Sequence, residues 1–104
     1  MVNLHRGEIS AKLGGAERRM CLTLGALAQL EAELQVGDLQ SLAARFSNGR
    51  ISAKDMAAII HAGLCGGGHD FTRDEVEALH AEGGLPAYAN IVTRLLEATF
   101  GTAD

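Results

Sequence analysis

His61, Cys65 and His69 recur at intervals of four residues, with His80 further along, and imidazole and thiolate are donors that zinc prefers. Gly66-Gly67-Gly68 stands between Cys65 and His69 and interrupts the helix that would set the three on one face. Structural zinc sites show tighter paired spacings than this. The expectation is therefore no metal, with His61, Cys65, His69 and His80 as the residues that would hold one.

The same residues offer a thiol beside an imidazole, the pairing of a cysteine nucleophile with its base. Spacing identifies neither a third group to orient the histidine nor an oxyanion site, so the chain is not expected to be an enzyme. The glycine triplet could turn backbone amides toward an anion, yet it follows a helical pattern and no Lys-Ser/Thr pair comes after it. It reads as a flexible connector or helix cap. Asp70, Asp74, Glu75, Glu77 and Glu82 lack the alternation of a calcium-binding loop and read as a solvated helix face.

The elements that position these residues follow from periodicity. Ile9, Ala11 and Leu13 alternate with polar neighbours, Gly14-Gly15 interrupts, and Met20, Leu22 and Leu24 alternate again, which is strand, turn, strand over about residues 7–24. An isolated hairpin is marginal in water and needs a cover. From Leu24 the period lengthens: Leu24, Leu27, Leu30 and Leu34 make a helix over about 24–35, capped by Thr23 and stopped by Gly37.

Asp38 can cap a second helix, about 38–47, carrying Leu39, Leu42, Ala43 and Phe46 and ending at Asn48-Gly49. Ser52 with Asp55 resembles a capping box before a third helix, 53–65, with Met56, Ile59, Ile60 and Leu64 on one face. Thr72 with Glu75 is a full capping box for a fourth, 73–82, closed by Gly83-Gly84. Pro86 suits the first turn of a fifth, 86–100, whose apolar face is Ile91, Val92, Leu95, Leu96 and Phe100. The fold class is α+β, an N-terminal two-stranded hairpin packed on four to five short helices in a single domain over residues 1–104.

Composition narrows the function. Hydrophobic residues make up 47% of the 104 residues and charged ones 21%, which suits a packed core and not a disordered chain. A net charge of -4 with 9 Lys+Arg lacks the basic footprint of a nucleic-acid binder. No stretch is long and apolar enough to span a membrane, and Met1 to Gly7 lack the apolar core of a secretion signal. Cys21 and Cys65 form no C-x-x-C pair, so the expectation is a cytoplasmic protein with both thiols free. Leu27, Leu30, Leu34, Leu39 and Leu42 either fill the core, the ordinary fate of apolar residues, or leave a groove for a partner.

The segments His5-Arg6-Gly7-Glu8, Cys21 to Glu31, Phe46 to Ser52, and Gly63 to Asp70 resemble the gene transfer agent tail-assembly family, some descriptions of which read tail tube protein. The resemblance covers about Asn3 to Gly101. It implies a component of the phage-like particles kept by alphaproteobacteria, similar to the tail assembly chaperones of long-tailed phages. Such a chaperone binds the tape-measure protein, keeps its apolar helices soluble, helps recruit tail-tube protein, and is absent from the mature particle. A tail-tube subunit and a small zinc-binding protein are the alternatives, and a homo-oligomer is compatible with either tail role. No cofactor is implied. The partner surface expected here is Leu27, Leu30 and Leu34 with Gly67, His69 and Asp70 of the glycine-rich loop.

Overall fold

The structure, a computed structural model, describes residues 7–38, 40–41, 44–45 and 51–100. It is α+β: strands β1 (Glu8–Leu13) and β2 (Ala16–Cys21) form a hairpin, followed by helices α1 (Leu24–Leu34), α2 (Ala53–Gly66), α3 (Arg73–Ala78) and α4 (Leu85–Phe100). Of the helix expected over 38–47, Gln40, Ser41, Ala44 and Arg45 are helical. Leu39, Leu42, Ala43, Phe46 and the Asn48-Gly49 stop lie outside the described residues.

Gly14 and Gly15 both take positive φ, 63° and 82°, the pair of left-handed residues that a two-residue turn needs to match strand twist. Leu13 faces Ala16, Ile9 faces Met20 and Ala11 faces Arg18, so alternation sets Ile9, Ala11, Leu13 and Met20 on one buried face. The closing pair of such a turn is hydrogen-bonded. The alternate pairs, Ser10 with Arg19 and Glu8 with Cys21, therefore point their backbone groups outward.

Each outward edge carries a contact from a helix. On β1, an Arg94 Nη2 of α4 donates to the Ser10 carbonyl at 2.7 Å. On β2, a Cβ placed at Gly66 would overlap the Cys21 carbonyl oxygen, and one at Gly67 the Arg19 carbonyl oxygen. The end of α2 thus lies backbone to backbone on the strand, a close approach that only glycine permits. Arg19 also donates to the Gly67 carbonyl at 3.3 Å. The first two glycines of the triplet, read from sequence as a connector or cap, pack tightly on β2; Gly68, at φ 95°, makes the turn that leaves the helix.

The helices begin where their caps say. Thr23 accepts the Ala26 N–H, and the Ser52/Asp55 and Thr72/Glu75 capping boxes are reciprocal. Two ends differ from expectation. Helix α1 stops at Gln35, itself left-handed at φ 58°, with its N–H on the Glu31 carbonyl, before Gly37 is reached. Helix α3 ends at Ala78, short of 82, because tertiary partners take up the following backbone. The Tyr88 hydroxyl donates to the Leu79 carbonyl at 2.6 Å and accepts the Ala81 N–H at 3.1 Å, while the Gly14 N–H donates to the His80 carbonyl at 2.9 Å. Groups satisfied in this way gain nothing from a further helical turn.

The core is the hairpin's inner face closed by α2 and α4, with Leu13, Ile59, Leu64 and Leu95 fully buried. Two ion pairs brace its rim: Arg45 with Asp55 at 3.2 Å, and Arg73 at the start of α3 with Glu33 at the end of α1.

Candidate functional site

Helix α2 places His61 and Cys65 one turn apart, with Sγ 3.6 Å from the imidazole Nε2. The same Nε2 lies 2.9 Å from the Phe71 carbonyl oxygen. A carbonyl only accepts, so Nε2 carries the proton and has no lone pair for the thiol. The pair is therefore not arranged as nucleophile and base; His61 ties the segment after the glycines back onto α2. His69 turns toward Phe71, with ring centroids 6.1 Å apart. The exposed His80 offers its backbone carbonyl to the hairpin turn. Among the described residues no group of three His, Cys, Asp or Glu side chains could hold a metal ion, and of the four residues singled out by sequence only His61 and Cys65 come into contact.

The partner surface expected from sequence also divides. Leu27 and Leu30 are 8% and 1% exposed, because both sit on the stripe of α1 that closes on α2. They are core residues, not open to a partner. Leu34 is half-buried against the core. Gly67 is enclosed by β2. Asp70 is exposed and His69 partly so. The exposed leucine of α1 is instead Leu24, at its first turn.

A groove of about 430 Å³ opens elsewhere, between α2, α3 and α4. Its origin is local. Ala53 and Ala57, one turn apart on α2, are too short to fill the space beside Met56 and Ile60, and the hollow they leave is the floor. Val76 and Glu77 of α3 and Leu85 and Tyr88 of α4 complete the lining. Its volume is within the roughly 300–1,000 Å³ usual for binding pockets. Tyr88 is held by its hydroxyl to the 79–81 backbone, so that part of the lining is fixed before anything binds.

Leu85 is 62% exposed at the groove's edge, an apolar side chain left in water next to an apolar hollow. Lys54 and Glu77 are the charged residues of the lining. This arrangement can bury apolar side chains and select by charge. Sequence reasoning missed it, although two signals were present: alanines four apart beside large residues in α2, and a leucine between Gly84 and Pro86.

No helix among the described residues is long and apolar enough to cross a membrane. A family model described as "Phage tail tube protein, GTA-gp10" matches residues 6–102. No curated protein and no solved structure matches the chain.

Proposed function

The chain belongs to this GTA-gp10 phage tail tube protein family, and we propose that in building a phage-like tail it acts as a non-enzymatic cytoplasmic chaperone, holding apolar segments of the tape-measure protein while tail-tube subunits gather around it. The observation that carries this reading is the preformed apolar groove between α2, α3 and α4, which suits transient cover for an apolar helix. The hairpin supports it. A tube wall is made by continuing sheets from subunit to subunit, which needs free strand edges. Here Arg94 takes up the Ser10 carbonyl on the edge of β1, and Gly66 and Gly67 cover that of β2.

The family's description as a tail tube protein favours a second reading, a permanent subunit of the tube. Joining a ring through a sheet edge would then require the Arg94 side chain to release β1 or the Gly66-Gly67 backbone to leave β2.

Co-expression with the tape-measure protein of the same gene cluster, together with mass spectrometry of purified particles, separates the two. Binding, with the chain missing from particles, is the expected result. Many copies per particle would establish the tube subunit instead, and neither binding nor incorporation would leave the chaperone reading without support.

A further inference from the structure

We propose that residues 69–78, with α3 at their centre, form a hinged strap that lifts off α2 as a unit and so opens the groove, and that the ion pair of Arg73 with Glu33 is its latch. Only the identity of what enters the groove rests on the chaperone reading; the strap itself does not.

Few contacts hold the strap down. Helix α3 has six residues, packs mainly on α2, and buries Val76 alone. Ahead of it, His61 Nε2–H donates to the Phe71 carbonyl at 2.9 Å, and the Arg18 guanidinium lies over the Phe71 ring, 5.1 Å from its centre. Arg73 reaches across to Glu33 of α1. The two ends differ. Gly68, at φ 95° with open space where a Cβ would stand, is a pivot that only glycine supplies without strain. Beyond α3 the chain is pinned, by the Tyr88 hydroxyl at Leu79 and Ala81 and by the Gly14 N–H at His80. A six-residue helix is too short to persist alone, so lifting it off α2 also opens its backbone bonds.

The closed position carries a cost of its own. Among the described residues, two buried side-chain atoms have no hydrogen-bond partner, His69 Nε2 and Arg73 Nε, and both belong to the strap. A buried polar atom without a partner is destabilising until water reaches it, and lifting the strap hydrates both at once. Val76 and Glu77 of the groove's lining move with it, while Tyr88 stays in place. The groove thus has one part that is fixed and one that yields to apolar segments of different girth.

Hydrogen exchange of the full chain, followed residue by residue by NMR, tests the strap directly. The Val76 N–H donates to the Thr72 carbonyl and the Leu79 N–H to the Val76 carbonyl. In the wild type both should exchange faster than the amides of Ile59 and Leu64 in the buried face of α2, through an opening that depends little on urea because it exposes little surface. Glu33→Arg repels Arg73 and should speed the two strap amides by roughly two- to fivefold, the range of an exposed ion pair. It also sets a base in the last turn of α1, where the helix dipole favours one, so a weakened α1 is not the cause. Adding Arg73→Glu restores the pair and should bring the rates back to wild type or below. His69→Phe, which removes one unpartnered nitrogen, should slow them.

Strap amides that exchange only together with Ile59 and Leu64, rates that Glu33→Arg leaves unchanged, or rates that the double variant fails to bring back would overturn the proposal. Co-expression with the tape-measure protein keeps the two questions apart. Stronger capture by Glu33→Arg than by the wild type, reversed in the double variant, is the expected result. Equal capture despite a faster strap would overturn its control of the groove. No capture by any of the three would reject the chaperone reading, and the exchange rates would still decide the strap.

Discussion

The hydroxyl of Tyr88 donates to the carbonyl of Leu79 at 2.6 Å and accepts the N–H of Ala81 at 3.1 Å, so one side chain of α4 serves both ends of the turn after α3. Its ring lines the groove at the same time. Tyr88→Phe keeps the ring and leaves a carbonyl and an amide without their partner. We expect a loss of about 1–2 kcal/mol in urea unfolding, with faster hydrogen exchange at Ala81 as the local signature.

The contact of α2 with β2 predicts opposite effects for substitutions of one chemical type. Gly66→Ala would drive a methyl into the Cys21 carbonyl and should cost more than about 2 kcal/mol, since backbone on both sides must shift. Gly25→Ala on the exposed face of α1, where the nearest neighbour of a Cβ is Thr23 Oγ1 at 3.9 Å, should instead stabilise by up to about 0.5–1 kcal/mol. Melting temperatures of the two variants, compared with wild type, decide it.

Asp55 joins two devices. Its carboxylate closes the capping box with the Ser52 N–H and pairs with Arg45 at 3.2 Å. Asp55→Ala should cost about 1–2 kcal/mol, chiefly through the cap. The coupling with Arg45→Met in a double-mutant cycle should be no more than about 1 kcal/mol, because the Arg45 side chain is 38% exposed.

Asp38 predicts a pH effect. Its carboxylate accepts the Ser41 N–H at 2.7 Å, and this backbone bond, with the Ser41 hydroxyl and the Gln40 amide adding to it, holds the group below its ordinary value of 3.8. The folded chain binds this proton less tightly than the unfolded one. Its contribution to stability is thus fully present above 3.8 and fades as pH falls through the lower folded value. A carboxyl NMR titration should place the Asp38 midpoint below 3.8, and in Ser41→Pro, which lacks the donor, the midpoint should rise.

Local rules made the start of each element legible. The Thr23, Ser52 and Thr72 caps and the Gly14-Gly15 turn each depend on residues within a few positions of one another, so spacing suffices to find them. The ends were less legible. Helix α3 stops where Tyr88 and Gly14, remote in sequence, take its neighbours' backbone groups. The glycines at 66 and 67 announce a break in sequence, while their contact with Arg19 and Cys21 is visible only once the chain has folded. The candidate site was hidden for the same reason: Ala53 and Ala57 are ordinary helix residues until folding brings Leu85 and Tyr88 to the same groove, and Leu27 and Leu30, which looked available, are taken by the core.

The hairpin leaned on by α4 has a consequence for synthesis. Strand β1 ends at Leu13, and the helix that supplies Arg94 to its edge begins only at Leu85. At about 5–20 residues per second, translation takes roughly 4–14 seconds to cover that interval. Throughout it the β1–β2 segment, as a marginal hairpin or as open chain, lacks the cover that α4 later supplies, on a ribosome whose neighbours are making the same chain. That uncovered stage is open to strand pairing between chains, and slow translation or strong overexpression should lower the soluble yield more than the final stability suggests.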